Sequence, residues 1–373
     1  MKPRHVIFAV CAAAMVLVTA GPTLAKELIF GSFLPPRHNV NVLGLDPILK
    51  AIEKETGGSI KWKLLTAGQL FGGRATLTSV GGGLADAGVV ISSFTQSKLP
   101  NFFTMTDMAM FASDGLVAAA AAADTTFNDC PQCLNDFYKQ KTVPLGFYGL
   151  TPYKLLCNKK VTSLAETKGM RIRTSGANGR WARAIGATPV HMTAPDMVEA
   201  IERGQIDCAI GPIAWIKAYS IAEHVKYVLD FPMGNFIGAA QFVMNRKAWN
   251  GLTLAEKTAT LKYMPMSSAL ASIDGYVADT VKAEAESRAR GAVYTKGGAD
   301  WDSLLKRHLD NEMDVIIAAA KKRRAKNPEA IIAAFRKNAD KWTKLIAATD
   351  RSTESYRKLL WDHIYSKIDP NKL

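Results

Sequence analysis

Short apolar runs of strand length alternate with stretches of helical period from residue 27 to residue 210, and this alternation limits the fold more than any other feature of the chain. Strands are predicted at 27–33, 60–65, 87–91, 145–149, 153–158, 170–174, 188–191 and 206–210. Helical stretches lie between them, at 74–80, around 116–123 and at 179–185, with another opened by Pro195. Pro195 suits a first helical turn, and Gly186 and Gly204 suit helix stops. Strand and helix in turn imply an α/β fold, parallel sheets covered by helices. After Leu254 the pattern turns helical. One long stretch, 255–290, contains Pro265, which is predicted to break or kink it.

The first 25 residues read as a secretory signal peptide. Lys2 and Arg4 make a basic start, 6–20 is an apolar run, and Thr23-Leu24-Ala25 ends in small residues. Cys11 follows Val10, a poor setting for a lipid anchor. The other 348 of the 373 residues are too many for one comfortable core, so two lobes are expected. No linker or repeat separates them, so the chain is expected to cross between lobes several times.

Without the signal the chain carries 45 cations against 33 anions, a net +12. The charge is dispersed, which suits weak steering of small anions. Nucleic acid is excluded as a partner: no basic run is interleaved with aromatics, and Lys321-Lys322-Arg323-Arg324 reads as a solvated helix face. Outside the signal stand four cysteines. Cys130 and Cys133, spaced C-x-x-C, are expected to close a small structural disulfide in an oxidising compartment, with a redox-active pair as the rival reading. Cys157 and Cys208 lie in apolar strand-like runs and read as buried thiols.

Catalytic and cofactor motifs are missing. There is no G-x-S-x-G, H-E-x-x-H or P-loop, the glycines of 81–88 fit no dinucleotide fingerprint, and the scattered histidines show no metal-ligand spacing. Neither a cofactor nor a metal is expected. What remains is a cleft. In open α/β sheets ligands bind beyond the carboxyl ends of the strands. Arg171 and Arg173 stand two apart in the strand of "KGMRIRTSG" (168–176), and Arg173 is nearer the carboxyl end. Its planar fork matches a carboxylate with two parallel hydrogen bonds. Arg173 is therefore the expected anion clamp. Arg171 is expected to be solvated or paired with a structural carboxylate.

"KGMRIR", then "AIGATPVHM" (184–192), then "VEAIERGQIDCAIGP" (198–212), resembles the receptors of TRAP transporters, the tripartite ATP-independent periplasmic carriers. "GQLFGG" (68–73), "GLADAGVV" (83–90), "KLPNFF" (98–103) and "FVMNRKAW" (242–249) resemble the same family, so the likeness covers most of the chain. It implies a two-lobed periplasmic binding protein with chain crossovers between lobes and a helical C-terminal part. The boundaries drawn are 26–151 plus 239–280 for lobe I, and 152–238 plus 281–373 for lobe II. The implied function is a periplasmic receptor, not an enzyme and not itself membrane-embedded. It would close over a small organic acid and deliver it to the membrane permease subunits.

The resemblance also places the family's main carboxylate-binding arginine at Arg173. Lys154 stands where many members have a second arginine, which keeps the charge but loses the fork. Gly211 stands where many have asparagine, and this opens space that Trp215, one helical turn on, could fill. Phe236 and Ala194 fall where the family lines its pocket. His38, with its neighbours Arg37 and Asn39, and Ser92 and Ser93 are further cleft candidates on loops after strands. Two rivals stay open: a periplasmic thiol oxidoreductase using Cys130 and Cys133, and a receptor serving an ABC importer or a sensor kinase.

Overall fold

The computed structural model describes residues 25–373; the expected signal peptide lies outside them apart from Ala25. Eleven strands form two sheets among the described residues. The first contains β1 (Lys26–Gly31), β2 (Ile60–Leu65), β3 (Ala87–Val90), β4 (Thr142–Tyr148) and β10 (Ala239–Asn245), in the order β2-β1-β3-β10-β4. The second contains β5 (Lys154–Cys157), β6 (Arg171–Thr174), β7 (Thr188–His191), β8 (Cys208–Gly211), β9 (Tyr227–Asp230) and β11 (Val293–Lys296), in the order β11-β9-β5-β8-β6-β7. Helices cover both sheets, as the alternation of the sequence requires.

Strand direction follows from how the chain crosses. β1, β2 and β3 run parallel, and so do β6, β7 and β8. Each sheet has one strand entering against this direction. β5 arrives from the end of β4 and runs antiparallel to β8 and β9, whereas β10 arrives from the end of β9 and runs antiparallel to β3 and β4. A strand that enters from the cleft must run opposite to strands that leave toward it. The carboxyl ends of both sets of parallel strands therefore face one gap.

A long helical stretch makes the third crossing. Its first part, Leu254–Ala269, starts at a capping box in which Thr253 and Glu256 satisfy each other's backbone N–H groups. The helix continues through Pro265, contrary to the predicted break. Leu261, Met264 and Ala269 are buried around it, and this packing holds the helix across the one backbone bond proline cannot make. The irregularity comes later, as a wider turn at Leu270–Val277, before helix Ala278–Ala289 leads to β11.

The boundaries drawn from sequence put all of 281–373 in the second lobe, and the C-terminal helices correct this. Helix Pro328–Ala347 packs on the alanine-rich helix Gly115–Asp124, whose small side chains permit close approach. Trp342 Nε1 and Lys341 Nζ both reach Asp124 Oδ2, at 2.8 and 2.7 Å. Tyr356, on helix Thr353–His363, donates to the Leu116 carbonyl at 2.9 Å. Both helices belong with the first sheet. Helix Ala299–Lys322 lies between the lobes. There Arg180 of the second lobe meets Asp107 at 2.9 Å and Glu312 at 2.6 Å, and Arg323 meets Asp107 at 2.8 Å.

Cys130 and Cys133 form a disulfide, with both residues fully buried. Cys157 and Cys208 are disulfide-bonded too, not free thiols as the sequence reading had them. The antiparallel register of β5 and β8 sets them directly opposite, with Cα atoms 4.0 Å apart. Nothing in two apolar runs 51 residues apart signals that pairing. By loop-closure entropy the long loop is worth roughly 4 kcal/mol and the Cys130–Cys133 loop roughly 2. Urea unfolding of the Cys157→Ala/Cys208→Ala double variant is therefore expected to lose about twice the stability lost by Cys130→Ala/Cys133→Ala.

Candidate functional site

The gap between the facing carboxyl ends narrows to a cavity of about 30 Å³ with a largely aromatic lining. From the second sheet come Tyr153 before β5, Arg173 and Ser175 at the end of β6, Ala194 after β7, and Trp215 and Tyr219 after β8. From the first come Phe33 and Leu34 after β1, Ile91 and Phe94 after β3, and Tyr148 at the end of β4. Leu150, Phe236 and Ala239, on or beside the crossovers, and Tyr276 of the long helix complete the wall. Arg173 is the one charged side chain in this lining.

Arg173 is 1% exposed. Its Nε and Nη2 both donate to the Met192 carbonyl beyond the end of β7, at 3.2 and 3.0 Å, which fixes the plane of the guanidinium. Nη1 is buried without a partner. Burial pulls the group's pKa down, while Tyr153, Tyr219 and Asp196 oppose that pull. Arginine nevertheless stays charged in proteins. A buried cation with an idle donor is stabilised only by a partner that brings negative charge and an acceptor.

Trp215 lies over this cation, its ring centroid 5.0 Å from Arg173 Cζ. Its seat depends on Gly211, because a Cβ there would stand 2.2 Å from Trp215 Cε3. Tyr153 and Tyr219 flank the indole at ring distances of 5.8 and 5.5 Å. His38 sits one layer behind, fully buried against Tyr219 and Tyr276, not in the lining. Burial pushes its pKa down to about 3, so the ring is neutral near pH 7. The Val40 N–H donates to its Nδ1 at 3.2 Å, which leaves Nε2 as the protonated nitrogen facing the Tyr276 hydroxyl at 3.4 Å.

The other expected residues are placed as follows. Ala194 and Phe236 line the cavity. Lys154 does not: its Nζ is held by Asp230 at 2.6 Å across the β5–β9 pair. Ser92 is behind the wall, its hydroxyl 2.8 Å from that of Thr106, which donates to the Ile237 carbonyl. The Ser93 hydroxyl is buried without a partner beside the Gly176 turn, outside the lining. On the loops after β1 and β3 it is Phe33, Leu34, Ile91 and Phe94 that line the cavity, in place of His38, Ser92 and Ser93. Tyr153 was the neighbour of a chosen residue. Strand alternation sends it inward and Lys154 outward. Tyr219 stands four residues beyond Trp215 on the same helical face.

A model of the bacterial extracellular solute-binding protein, family 7, matches residues 30–286. The chain belongs to this family, the receptors of TRAP transporters. Solved structures of similar fold include a TRAP receptor from Rhodoferax ferrireducens in complex with co-purified benzoate. It is 21% identical, has a TM-score of 0.74, and the match covers 87% of this chain and 100% of that one. A receptor from Bordetella bronchiseptica with bound mandelate is 22% identical, with a TM-score of 0.71 and coverage of 85% and 99%. A marine metagenome receptor specific for pyroglutamate is 16% identical, with a TM-score of 0.72 and coverage of 84% and 99%. Family and neighbours are binding receptors, not enzymes. No helix among the described residues of the receptor is long and apolar enough to cross a membrane.

Arg171, at the far end of β6, has the structural role. Its Nη2 reaches Asp207 Oδ1 at 3.1 Å and the Gly204 carbonyl at 2.6 Å, and its backbone N–H donates to Asp207 Oδ2 at 2.8 Å. Lys159 adds a contact to Asp207 at 2.8 Å. Burial raises the Asp207 pKa, but the hydrogen bonds from Arg171 and Lys159 outweigh it and hold the carboxyl at about 2. A depressed carboxylate stabilises the fold above its unfolded pKa of about 4 and loses that contribution as pH falls toward 2. Unfolding free energies measured from pH 5 to pH 2 should therefore fall less steeply in Asp207→Asn than in the unmodified receptor.

Proposed function

We propose that this receptor captures a small monocarboxylic acid on Arg173 in the interlobe cleft and delivers it to the permease of a TRAP transporter. The observation that carries this reading is the partnerless Nη1 of a fully buried arginine at a cleft cavity. Benzoate, mandelate and pyroglutamate, the ligands of the three similar receptors, each bear one carboxylate. A carboxylate would supply the charge and the acceptor that Arg173 lacks. No covalent chemistry is needed, because the work is done by binding.

Closure follows from the shared lining. A ligand held by both lobes favours the closed state by its differential affinity for that state. The basic start, the apolar run 6–20 and the small residues up to Ala25 support export to the periplasm, and two disulfides suit its oxidising conditions. The thiol oxidoreductase reading loses support, since both Cys130 and Cys133 are fully buried and exchange needs access for an attacking thiolate.

Removing one partner of a buried, hydrogen-bonded charge pair costs about 2–5 kcal/mol. Titration calorimetry with a bound monocarboxylate should show Arg173→Ala weakening affinity at least about tenfold, which corresponds to roughly 1.4 kcal/mol. Arg171→Ala should leave affinity unchanged. Equal affinities for Arg173→Ala and the unmodified receptor would rule out the clamp.

A further inference from the structure

The cavity takes its one charged side chain from the second lobe and a cluster of apolar side chains from the first, with the hydroxyl-bearing rings of Tyr148 and Tyr276 in the same wall. The second sheet contributes Arg173 with Tyr153, Tyr219 and Ser175 near it. The loops after β1 and β3 contribute Phe33, Leu34, Ile91 and Phe94, none of which has a polar side-chain atom. A second cation is missing from the lining, because Lys154 is spent on Asp230 at 2.6 Å. Any charged or hydroxylated group against those four side chains would leave water without a partner.

Width is restricted as well. Gly211 has no side chain, so the Trp215 indole lies flat above it. A Cβ would meet Trp215 Cε3 and Cζ3 at 2.2 and 2.3 Å. In that seat the indole covers the guanidinium, and Trp215 and Tyr219 meet edge to face at 5.5 Å. Aromatic rings thus crowd Arg173, with Trp215 over it and Tyr153 and Tyr219 against that indole.

We infer that the ligand is an aromatic monocarboxylate, its carboxylate on Arg173 and its ring against Phe33, Leu34, Ile91 and Phe94, admitted by a parting of the lobes that widens the cavity beyond its present volume of about 30 Å³, and that Gly211 is a specificity-determining residue because it seats Trp215. This rests on Arg173 being the carboxylate clamp. Dicarboxylates and sugar acids are rejected because their second polar group would be desolvated against Phe33, Ile91 and Phe94. Carboxylates without a body are rejected because they leave that wall unfilled.

The test is titration calorimetry on full-length mature receptor, unfolded and refolded to strip co-purified ligand, with benzoate, terephthalate, gluconate and acetate. Terephthalate keeps the ring and adds a second carboxylate; gluconate replaces the ring with hydroxyls; acetate removes the body. The expected result is benzoate binding at least tenfold more tightly than each of the others. Terephthalate, gluconate or acetate binding as tightly as benzoate overturns the inference. If such binding is still lost in Arg173→Ala, the clamp itself stands. Binding of carboxylates that is indifferent to Arg173→Ala removes the clamp, and failure of benzoate to bind overturns the aromatic assignment. In Gly211→Ala, benzoate affinity should fall at least tenfold; the displaced Trp215 also lowers the melting temperature, so affinity is measured well below it, on folded protein. Unchanged affinity there removes Gly211 from specificity. The four-ligand series on the unmodified protein decides the ligand class even if that variant folds poorly.

Discussion

A guanidinium kept out of water has to be held and has to be answered, and the geometry of this receptor follows from doing both. The Met192 carbonyl holds Arg173 through two of its nitrogens. That carbonyl is in reach only because β6 and β7 run parallel and finish side by side, with Arg173 opposite Val190 and Thr174 opposite His191. Parallel strands need helical crossovers, and those helices cover the sheet. The alternation read in the sequence is thus the condition for burying this cation at a strand end. The third nitrogen, Nη1, is left for the cavity.

The same strand shows how position decides the role of a charge. Arg171 and Arg173 are two residues apart and of one chemistry, yet one is tied to Asp207 at the amino end and the other is sealed into the cleft. The Asp207 carboxylate is matched by Arg171 and Lys159 and stabilises the strand's origin. Arg173 has no carboxylate partner among the described residues, which is what the proposed clamp requires.

Much of this was legible in the sequence because it depends on local periodicity. The strands of both sheets that carry the cleft, the different settings of the two arginines, and the Gly211–Trp215 pair could all be read from spacing or from the family resemblance. What escaped depends on tertiary contact. The Cys157–Cys208 bridge needs the register of β5 on β8, which no local pattern encodes. Strands β9 and β11 are four residues each, and β11 is a half-exposed edge, so their apolar signal is weak. Tyr276 reaches the cavity from the wide helical turn 270–277, where helical period misplaces a side chain. Polarity also misled: His38 and Ser92 look like ligand contacts in sequence, but they support the wall from behind, where buried polar groups bond to one another.

How closure couples to binding follows from the unequal contributions of the two lobes to the cavity. The second lobe's share is preorganised whether or not the first lobe is near, since Met192, Trp215 and Gly211 all come from the second sheet or its loops. The first lobe contributes Phe33, Leu34, Ile91 and Phe94 together with Tyr148. If Arg173 is the carboxylate clamp, a carboxylate can be taken up by the open receptor, and the body of the ligand is what distinguishes closed from open. Interactions made equally in both states cannot shift the equilibrium between them. Under the proposed function, the charge sets whether an anion binds and the apolar surface it brings sets how far the receptor closes. The Asp107–Arg180–Arg323 cluster between the lobes lies outside the cavity lining and touches no residue of it by ion pair.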